Sequence, residues 1–239
     1  MSRRRALRGA AARIREFLPT AAEPDLDGLC EAFLLTRGEG DAAHDLDHVR
    51  RVVVAAADLC APEGANERLV RAAAWLHDCV HVAKDSPDRS RASRMCANEA
   101  GRFLRGLGWT ESDVLAVEHA VEAHSFTAGI EPRTPEARVV QDADRLDALG
   151  AHGLARNLML AGSWNGRLAH PTDPWARRRP LDDRAWAVDH HFAKLLRLPG
   201  TMKTAAGRRE AVRRADFLKL FLRELARERG IDPPEEALG

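Results

Sequence analysis

Apolar residues recur every three or four positions along most of the chain, and this spacing predicts a series of amphipathic helices. Leu26, Leu29, Phe33 and Leu34 form one such apolar face. Long runs of β-branched residues, which favour strands, are rare. The predicted helices cover residues 6–18, 25–34, 46–60, 66–78, 90–106, 111–124, 136–160, 183–197 and 203–229, and the one over 136–160 continues or kinks through Gly150 and Gly153.

Local sequence signals support several of these boundaries. Asn66 is a suitable N-cap, and Thr110 followed by Asp113 is typical of a helix start. Residues 161–182, which carry several glycines and prolines, form the longest irregular stretch, and we interpret them as a surface insertion or lid. The pattern predicts one all-α domain over residues 1–239, with C-terminal helices at 183–229 packing on a main body of about 26–160.

Composition narrows the class of protein. With 239 residues the chain is long enough to bury a full core, and the absence of tyrosine with abundant alanine and leucine favours helix. Charged residues make up 31% of the chain, but the net charge is only +1. This balance argues against a broad nucleic-acid interface and against binding to a membrane surface.

The cysteines and the N-terminus bear on the compartment. Cys30, Cys60, Cys79 and Cys96 are spread singly, which indicates small buried apolar side chains in a reducing environment. The arginine-rich start is not followed by an apolar signal segment, and no apolar run is long enough to span a bilayer. We therefore expect a cytoplasmic protein.

The candidate chemistry is spread over three separated segments. His48 lies near the start of one predicted helix, His77 and Asp78 end another, and Asp144 follows Asp142 in a third. Neighbouring positions on a helix point about 100° apart, so His77 and Asp78 can reach one ion only where that helix is tightly packed. Together the segments provide the mixture of imidazole and carboxylate that suits a divalent metal.

Each of these residues also has a purely structural interpretation. His48 lies among apolar residues and could be a core histidine bonded to a carbonyl. His77 and Asp78 could be a helix-terminal pair, although an aspartate there is opposed by the helix dipole. Asp144 lies on an apolar pattern, where an unpartnered carboxylate would be costly. A shared metal explains all three features at once.

The same residues resemble those of the HD-domain superfamily of metal-dependent phosphohydrolases, in particular a small stand-alone bacterial branch similar to nucleotide pyrophosphohydrolases. The resemblance rests on Leu76-His77-Asp78, an upstream histidine and a downstream Ala-Asp-x-Leu-x-Ala pattern. It implies a single HD-domain helical bundle. One departure is Asp85, an acidic residue where asparagine is expected, which would weaken a phosphate contact. Further matching motifs run from His44 to Val52, Lys84 to Ser93, His124 to Phe126, Gln141 to Gly150, Gly153 to Arg156 and His191 to Leu196.

The resemblance also implies roles for individual residues. It assigns one divalent ion per chain, Mn²⁺, Mg²⁺ or Co²⁺, which would polarise the phosphate and activate a water molecule. It assigns catalysis to Asp78 with Lys84, His124 and Arg145, the last three neutralising charge on phosphate oxygens. The implied metal ligands are His48, His77, Asp78 and Asp144, and the implied substrate-binding residues are His44, Lys84, Arg145, Arg156 and Lys194, with His191 also near the pocket.

The implied function is hydrolysis of a nucleotide, either a nucleoside phosphate or a triphosphate with release of pyrophosphate. Two alternatives use the same fold. A mixed-valent di-iron oxygenase needs two further histidine ligands; His124 could be one, but residues 82–118 contain no histidine. The other is a non-catalytic ligand sensor, although all four predicted ligands are present. The expected partner is a small phosphorylated molecule, with no stable nucleic-acid partner, and helix 6–18 offers a surface for a homo-oligomer.

Overall fold

A computed structural model describes residues 25–37, 46–82, 86, 88–125 and 128–238, and within these ranges the protein is helical and contains no strand. The all-α prediction is confirmed. Predicted helix 6–18, His44 and Lys84 with Asp85 lie outside the described residues. The helices are α1 (Leu26–Leu35), α2 (Leu46–Glu63), α3 (Glu67–Leu76), α4 (Ala92–Gly106), α5 (Glu111–Ala123), α6 (Pro135–Asp147), α7 (Gly150–Ser163), α8 (Ala187–Ala193), α9 (Ala205–Glu228) and α10 (Glu235–Leu238).

The chain forms two compact units, the first ending at Gln141 and the second beginning at Asp142. In the first unit α3 is the central helix, because it packs against α1, α2, α4 and α5. Its residues from Ala72 to Leu76 are all buried. A helix surrounded in this way holds the residues at its C-terminal end, His77 and Asp78, in a fixed position. The single domain over residues 1–239 stays a prediction.

The capping signals of the first unit are confirmed. The Asn66 Oδ1 atom accepts hydrogen bonds from the backbone N–H groups of Arg68, at 3.1 Å, and Leu69, at 3.4 Å. The Thr110 Oγ1 atom accepts one from the N–H of Asp113 at 3.2 Å. Each cap satisfies N–H groups that the first turn of a helix leaves without a partner. All four cysteines are buried and unbridged.

The second unit is built on α9, which packs against α7 and against a 3₁₀ segment, Leu195–Thr201. α9 has 24 residues, but charged side chains recur along it. No helix in the described part of the chain is long and apolar enough to cross a bilayer. A buried apolar cluster joins α9 to its surroundings and comprises Ala169, Trp175, Val188, Leu222, Leu225, Ala226 and Leu238.

Two predicted helices differ from the observed ones. The helix predicted over 136–160, with a continuation or kink through Gly150 and Gly153, is divided into two helices, because Gly150 has φ +71°, a left-handed conformation that only glycine adopts without strain. The helix predicted over 183–197 begins only at Ala187. Before it, the Asp182 side chain accepts hydrogen bonds from the N–H groups of Arg184 and Ala185. Such a local turn competes with helix formation.

The stretch predicted as a surface insertion or lid is irregular, but it is packed into the second unit. Trp175 is buried in the apolar cluster, and its indole N–H donates to the carbonyl of Asp232 at 2.9 Å. The Arg179 guanidinium binds both oxygens of the Asp189 carboxylate, at 2.5 and 2.7 Å. The N–H of Asp182 donates to the same carboxylate at 2.7 Å. These contacts anchor parts of a stretch that is otherwise mostly exposed, and its interpretation as a surface insertion or lid stays a prediction.

Candidate metal centre

Three side chains of the first unit converge on one point. His48, His77 and Asp78 each offer one ligand atom, and these atoms all lie within 4.8 Å of one another. His48 lies in the first turn of α2, whereas His77 and Asp78 directly follow α3. The two imidazoles are almost fully buried, and the Asp78 side chain is 25% exposed. The cluster is therefore enclosed on its histidine side and accessible at the carboxylate.

The ring orientation of His77 determines which nitrogen can bind a metal. Its Nδ1 atom lies 2.7 Å from the carbonyl oxygen of Ala74. A carbonyl only accepts, so Nδ1 carries the hydrogen and Nε2 keeps its lone pair. The Nε2 atom faces the Nε2 atom of His48 at 3.3 Å. The backbone of α3 thus sets the tautomer that a metal ligand requires.

The distances between the ligand atoms fit a shared divalent ion. Two nitrogens that each lie about 2.1 Å from one ion, at octahedral or tetrahedral angles, are roughly 3.0–3.4 Å apart. The two Nε2 atoms are 3.3 Å apart, and the Asp78 Oδ2 atom lies 3.6 Å from the His77 Nε2 atom. Two imidazoles and a carboxylate are also the donor types that first-row transition metals prefer. The residues present therefore fit the metal that the sequence predicts.

His124 lies next to this cluster. Its Nδ1 atom donates to the carbonyl of Val121 at 2.6 Å, and its Nε2 atom lies 3.6 Å from the Asp78 Oδ1 atom. The His124 and His77 rings meet edge to face, with centroids 5.0 Å apart. The Asp78 carboxylate thus has one oxygen towards His77 and the other towards His124.

The local fold produces this arrangement through two helix ends. His77 follows the last residue of α3 and His124 follows the last residue of α5, and the two helices pack against each other. In both cases Nδ1 bonds the carbonyl three residues earlier. The last turn of a helix leaves such carbonyls without a partner, so they are available to fix a ring. A histidine directly after an apolar helical run is the sequence signal for this geometry.

Asp142 has a role that the sequence did not predict. Its buried carboxylate accepts hydrogen bonds from the N–H groups of Lys203 and Thr204 and from the Thr204 hydroxyl, at 2.7–3.1 Å. Burial outweighs these bonds and raises the pKa of Asp142 above its ordinary value. Asp142 therefore anchors the start of α9. Asp144, half-buried on α6, stays the predicted fourth ligand.

The predicted phosphate-binding residues of the second unit have contacts of their own. The Arg145 Nη1 atom donates to the carbonyl of Thr201 at 2.7 Å. The Arg156 guanidinium lies 3.7 Å from the Asp147 carboxylate. Lys194 is exposed. Arg145 and Arg156 thus have structural contacts, and the roles of all three cations in substrate binding stay predictions.

His119 is a further histidine between the His77-Asp78 pair and Asp144, and it has a structural contact. His119 lies five residues before His124, and its Nε2 atom accepts a hydrogen bond from the N–H of Arg133 at 3.0 Å. Burial lowers the pKa of His119 below its ordinary value. This lone pair therefore positions the backbone at Arg133.

His191 is fully buried and stacks on Phe221, with ring centroids 5.8 Å apart. Its Nδ1 atom lies 3.3 Å from the carbonyl of Ala187, and its Nε2 atom has no hydrogen-bond partner among the residues that the structure describes. Burial lowers the pKa of His191 from 6.5 to about 4. This histidine is therefore neutral in the folded protein and belongs to the packing of the second unit.

His191→Leu is expected to weaken the pH dependence of stability on the acid side. The unfolded chain binds the proton more readily, so the contribution of His191 is intact above pH 6.5 and is lost as the pH falls towards 4. The full loss corresponds to about 3 kcal/mol. Urea unfolding at several pH values measures it. His152→Leu, at an exposed position on α7, is the control. Its free energy of unfolding should change with pH as steeply as that of the wild type. If the free energy of unfolding of His191→Leu fell with pH as steeply as that of the wild type, the lowered pKa of His191 would be contradicted.

Comparison with known proteins relates the chain to HD-domain proteins by sequence and by structure. A sequence model of the HD domain matches residues 45–149. The uncharacterised protein YpgQ of Bacillus subtilis (strain 168) is 36% identical over 196 residues, which cover 80% of this chain and 87% of YpgQ. The crystal structure of YpgQ in complex with ADP has a TM-score of 0.62 and 29% identity, and covers 92% of this chain and 95% of YpgQ. The crystal structure of an HD-superfamily hydrolase from Bacillus thuringiensis has a TM-score of 0.65 and 26% identity. The match covers 93% of this chain and 100% of the hydrolase chain.

Proposed function

The chain is a metal-dependent phosphohydrolase of the HD-domain family, and on this premise we propose that it hydrolyses a nucleotide. The observation that carries the proposal is the convergence of His48, His77 and Asp78 within 4.8 Å. Support for a nucleotide comes from YpgQ, which was crystallised with ADP. The proposed metal site comprises these three residues and Asp144.

A divalent ion bound at this site supplies Lewis-acid polarisation of a phosphoryl oxygen and lowers the pKa of a bound water. The protein contributes orientation and proton transfer. His77 is fixed by its Nδ1–H bond to Ala74, which leaves Nε2 as the ligand atom. His48, His77, Asp78 and Asp144 would hold the ion, and the partly exposed Asp78 carboxylate would leave that side of the site open to water and substrate.

His124 is the proposed proton carrier. Its Nδ1 hydrogen is held by the Val121 carbonyl, which places the lone pair of the neutral ring on Nε2, the atom that faces Asp78. When Nε2 takes up the proton of the attacking water, the Asp78 carboxylate at 3.6 Å stabilises the imidazolium. The resulting positive charge can neutralise charge that develops on the phosphate.

The choice of Asp144 over Asp142 is tested by comparing two alanine variants. Asp144→Ala is expected to release the metal at least about tenfold more readily, with little effect on folding. Asp142→Ala is expected to keep the metal but to lower stability by roughly 1–3 kcal/mol, because it removes the buried acceptor of the Lys203 and Thr204 N–H groups. Metal content by elemental analysis and urea unfolding separate these effects. Equal loss of metal in both variants would contradict the assignment.

The activity is tested by a screen of nucleoside mono-, di- and triphosphates in the presence of Mn²⁺, Mg²⁺ or Co²⁺. Release of phosphate and of pyrophosphate is measured separately, because this shows which bond breaks. The metal-stripped protein is the matched control and should be inactive. A folded, metal-loaded protein that hydrolyses no nucleotide would refute the proposal. Two iron atoms per chain in elemental analysis would instead favour an oxygenase.

A further inference from the structure

A cleft of about 630 Å³ opens beside the first two turns of α9, in the second unit. Its volume is within the range of roughly 300–1,000 Å³ typical of small-molecule sites. Half of its lining residues are cations and none is acidic. The lining comprises Lys203, Thr204, Ala205, Arg208, Arg209 and Val212.

Three backbone N–H groups at the start of α9 already have acceptors. The Thr204 hydroxyl oxygen accepts from the N–H of Gly207 at 2.9 Å, and the Asp142 carboxylate accepts from the N–H groups of Lys203 and Thr204. The Asp142 carboxylate also packs closely against Gly207, because a Cβ atom at this glycine would lie only 2.5 Å from the Asp142 Oδ2 atom. The attraction of the cleft for anions therefore comes from its cationic side chains, above all Arg208 and Arg209.

The two arginines of the cleft differ from the other arginines of α9. Arg213 and Arg214 bind Glu210, Arg223 binds Glu235 and Arg227 binds Glu224. No carboxylate forms an ion pair with Arg208 or Arg209 in the described part of the chain. The Arg208 Nη2 atom donates to the carbonyl of Met202 at 3.3 Å, which holds its side chain at the cleft, and both side chains are exposed.

We propose that this cleft binds an oligophosphate chain through Arg208 and Arg209, with Lys203 beside them. Guanidinium groups form paired hydrogen bonds with phosphate oxygens, and two adjacent groups suit a ligand with several phosphates. The phosphates belong either to a nucleoside polyphosphate or to free oligophosphate. The proposal uses only residues of the second unit and does not depend on the proposed hydrolysis.

Titration calorimetry of the full-length, metal-free protein with inorganic tripolyphosphate tests the cleft. The double variant Arg208→Ala/Arg209→Ala is expected to bind at least about tenfold more weakly at roughly 0.15 M salt. The double variant Arg213→Ala/Arg227→Ala is the matched control. It removes two arginines from the same helix, but both have glutamate partners. We expect its affinity to stay within about twofold of wild type.

Two results would overturn the proposal: no binding of tripolyphosphate to wild type, or the same loss of affinity in both double variants. Thermal unfolding checks that each variant is folded. His77→Ala should bind tripolyphosphate as wild type does, so loss of hydrolysis and loss of the cleft are separable. Titration with ATP distinguishes the two sources of phosphate. Tighter binding of ATP than of tripolyphosphate assigns the cleft to a nucleotide, and equal binding assigns it to the phosphate chain alone.

Discussion

Asp78→Ala is expected to remove most of the bound metal and to lower kcat/KM on the order of 1,000-fold. Asp78 supplies the only carboxylate of the three clustered ligands, and its second oxygen faces the proposed proton carrier, His124. Its loss therefore removes a negative ligand and the partner of an imidazolium at the same time. Elemental analysis and turnover of the best nucleotide from the screen measure the two effects.

Asp58→Ala is the matched control for this variant. Asp58 is an exposed aspartate on α2, the helix that carries His48, and its removal changes the net charge equally. It should keep wild-type metal content and activity. Unchanged metal content and activity in Asp78→Ala would show that the proposed site is wrong, provided that both proteins are folded by circular dichroism.

Asp189→Ala is expected to lower the free energy of unfolding by about 3–5 kcal/mol. The Asp189 side chain is fully buried and binds the Arg179 guanidinium through both oxygens, so the truncation leaves a largely buried positive charge without its partner. It also removes the acceptor of the Asp182 N–H. Urea unfolding of the full chain measures the change.

Asp183→Ala provides the comparison for Asp189→Ala. Asp183 pairs with His190 at 2.9 Å, but its side chain is 45% exposed. An exposed pair contributes at most about 1 kcal/mol, so this variant should be close to wild type. The double variant Asp189→Ala/Arg179→Ala should recover part of the stability, because it removes the unpaired cation as well. Similar losses in Asp183→Ala and Asp189→Ala would contradict a specific role for the buried pair.

The proposed chemistry depends on rigidity that comes from helix packing. His77 and His124 belong to different helices, yet each ring is fixed by a backbone carbonyl at the end of its own helix. Because α3 is buried along most of its length, these helix ends have little freedom to move. Fixed rings lower the cost of orienting ligand atoms when metal and substrate bind.

The sequence by itself determined the helices and the location of the candidate chemistry. Helical periodicity and capping are local, so Asn66 and Thr110 marked helix starts correctly. The predicted ligands His48, His77 and Asp78 converge within the first unit, as expected from residues that are costly to bury separately. Motif resemblance was needed to assign their chemistry, because a histidine followed by aspartate is common by chance.

Only the tertiary structure decided which partner each polar group has. Asp142 and Asp144 are two residues apart with similar neighbours in sequence, but Asp142 bonds Thr204, some 60 positions later. The irregular stretch before α8 is rich in glycine and proline, and its anchoring through Trp175 and Asp189 is visible only in the folded chain. Pattern and propensity depend on residues within a few positions, whereas burial and hydrogen bonding depend on residues that meet only after folding.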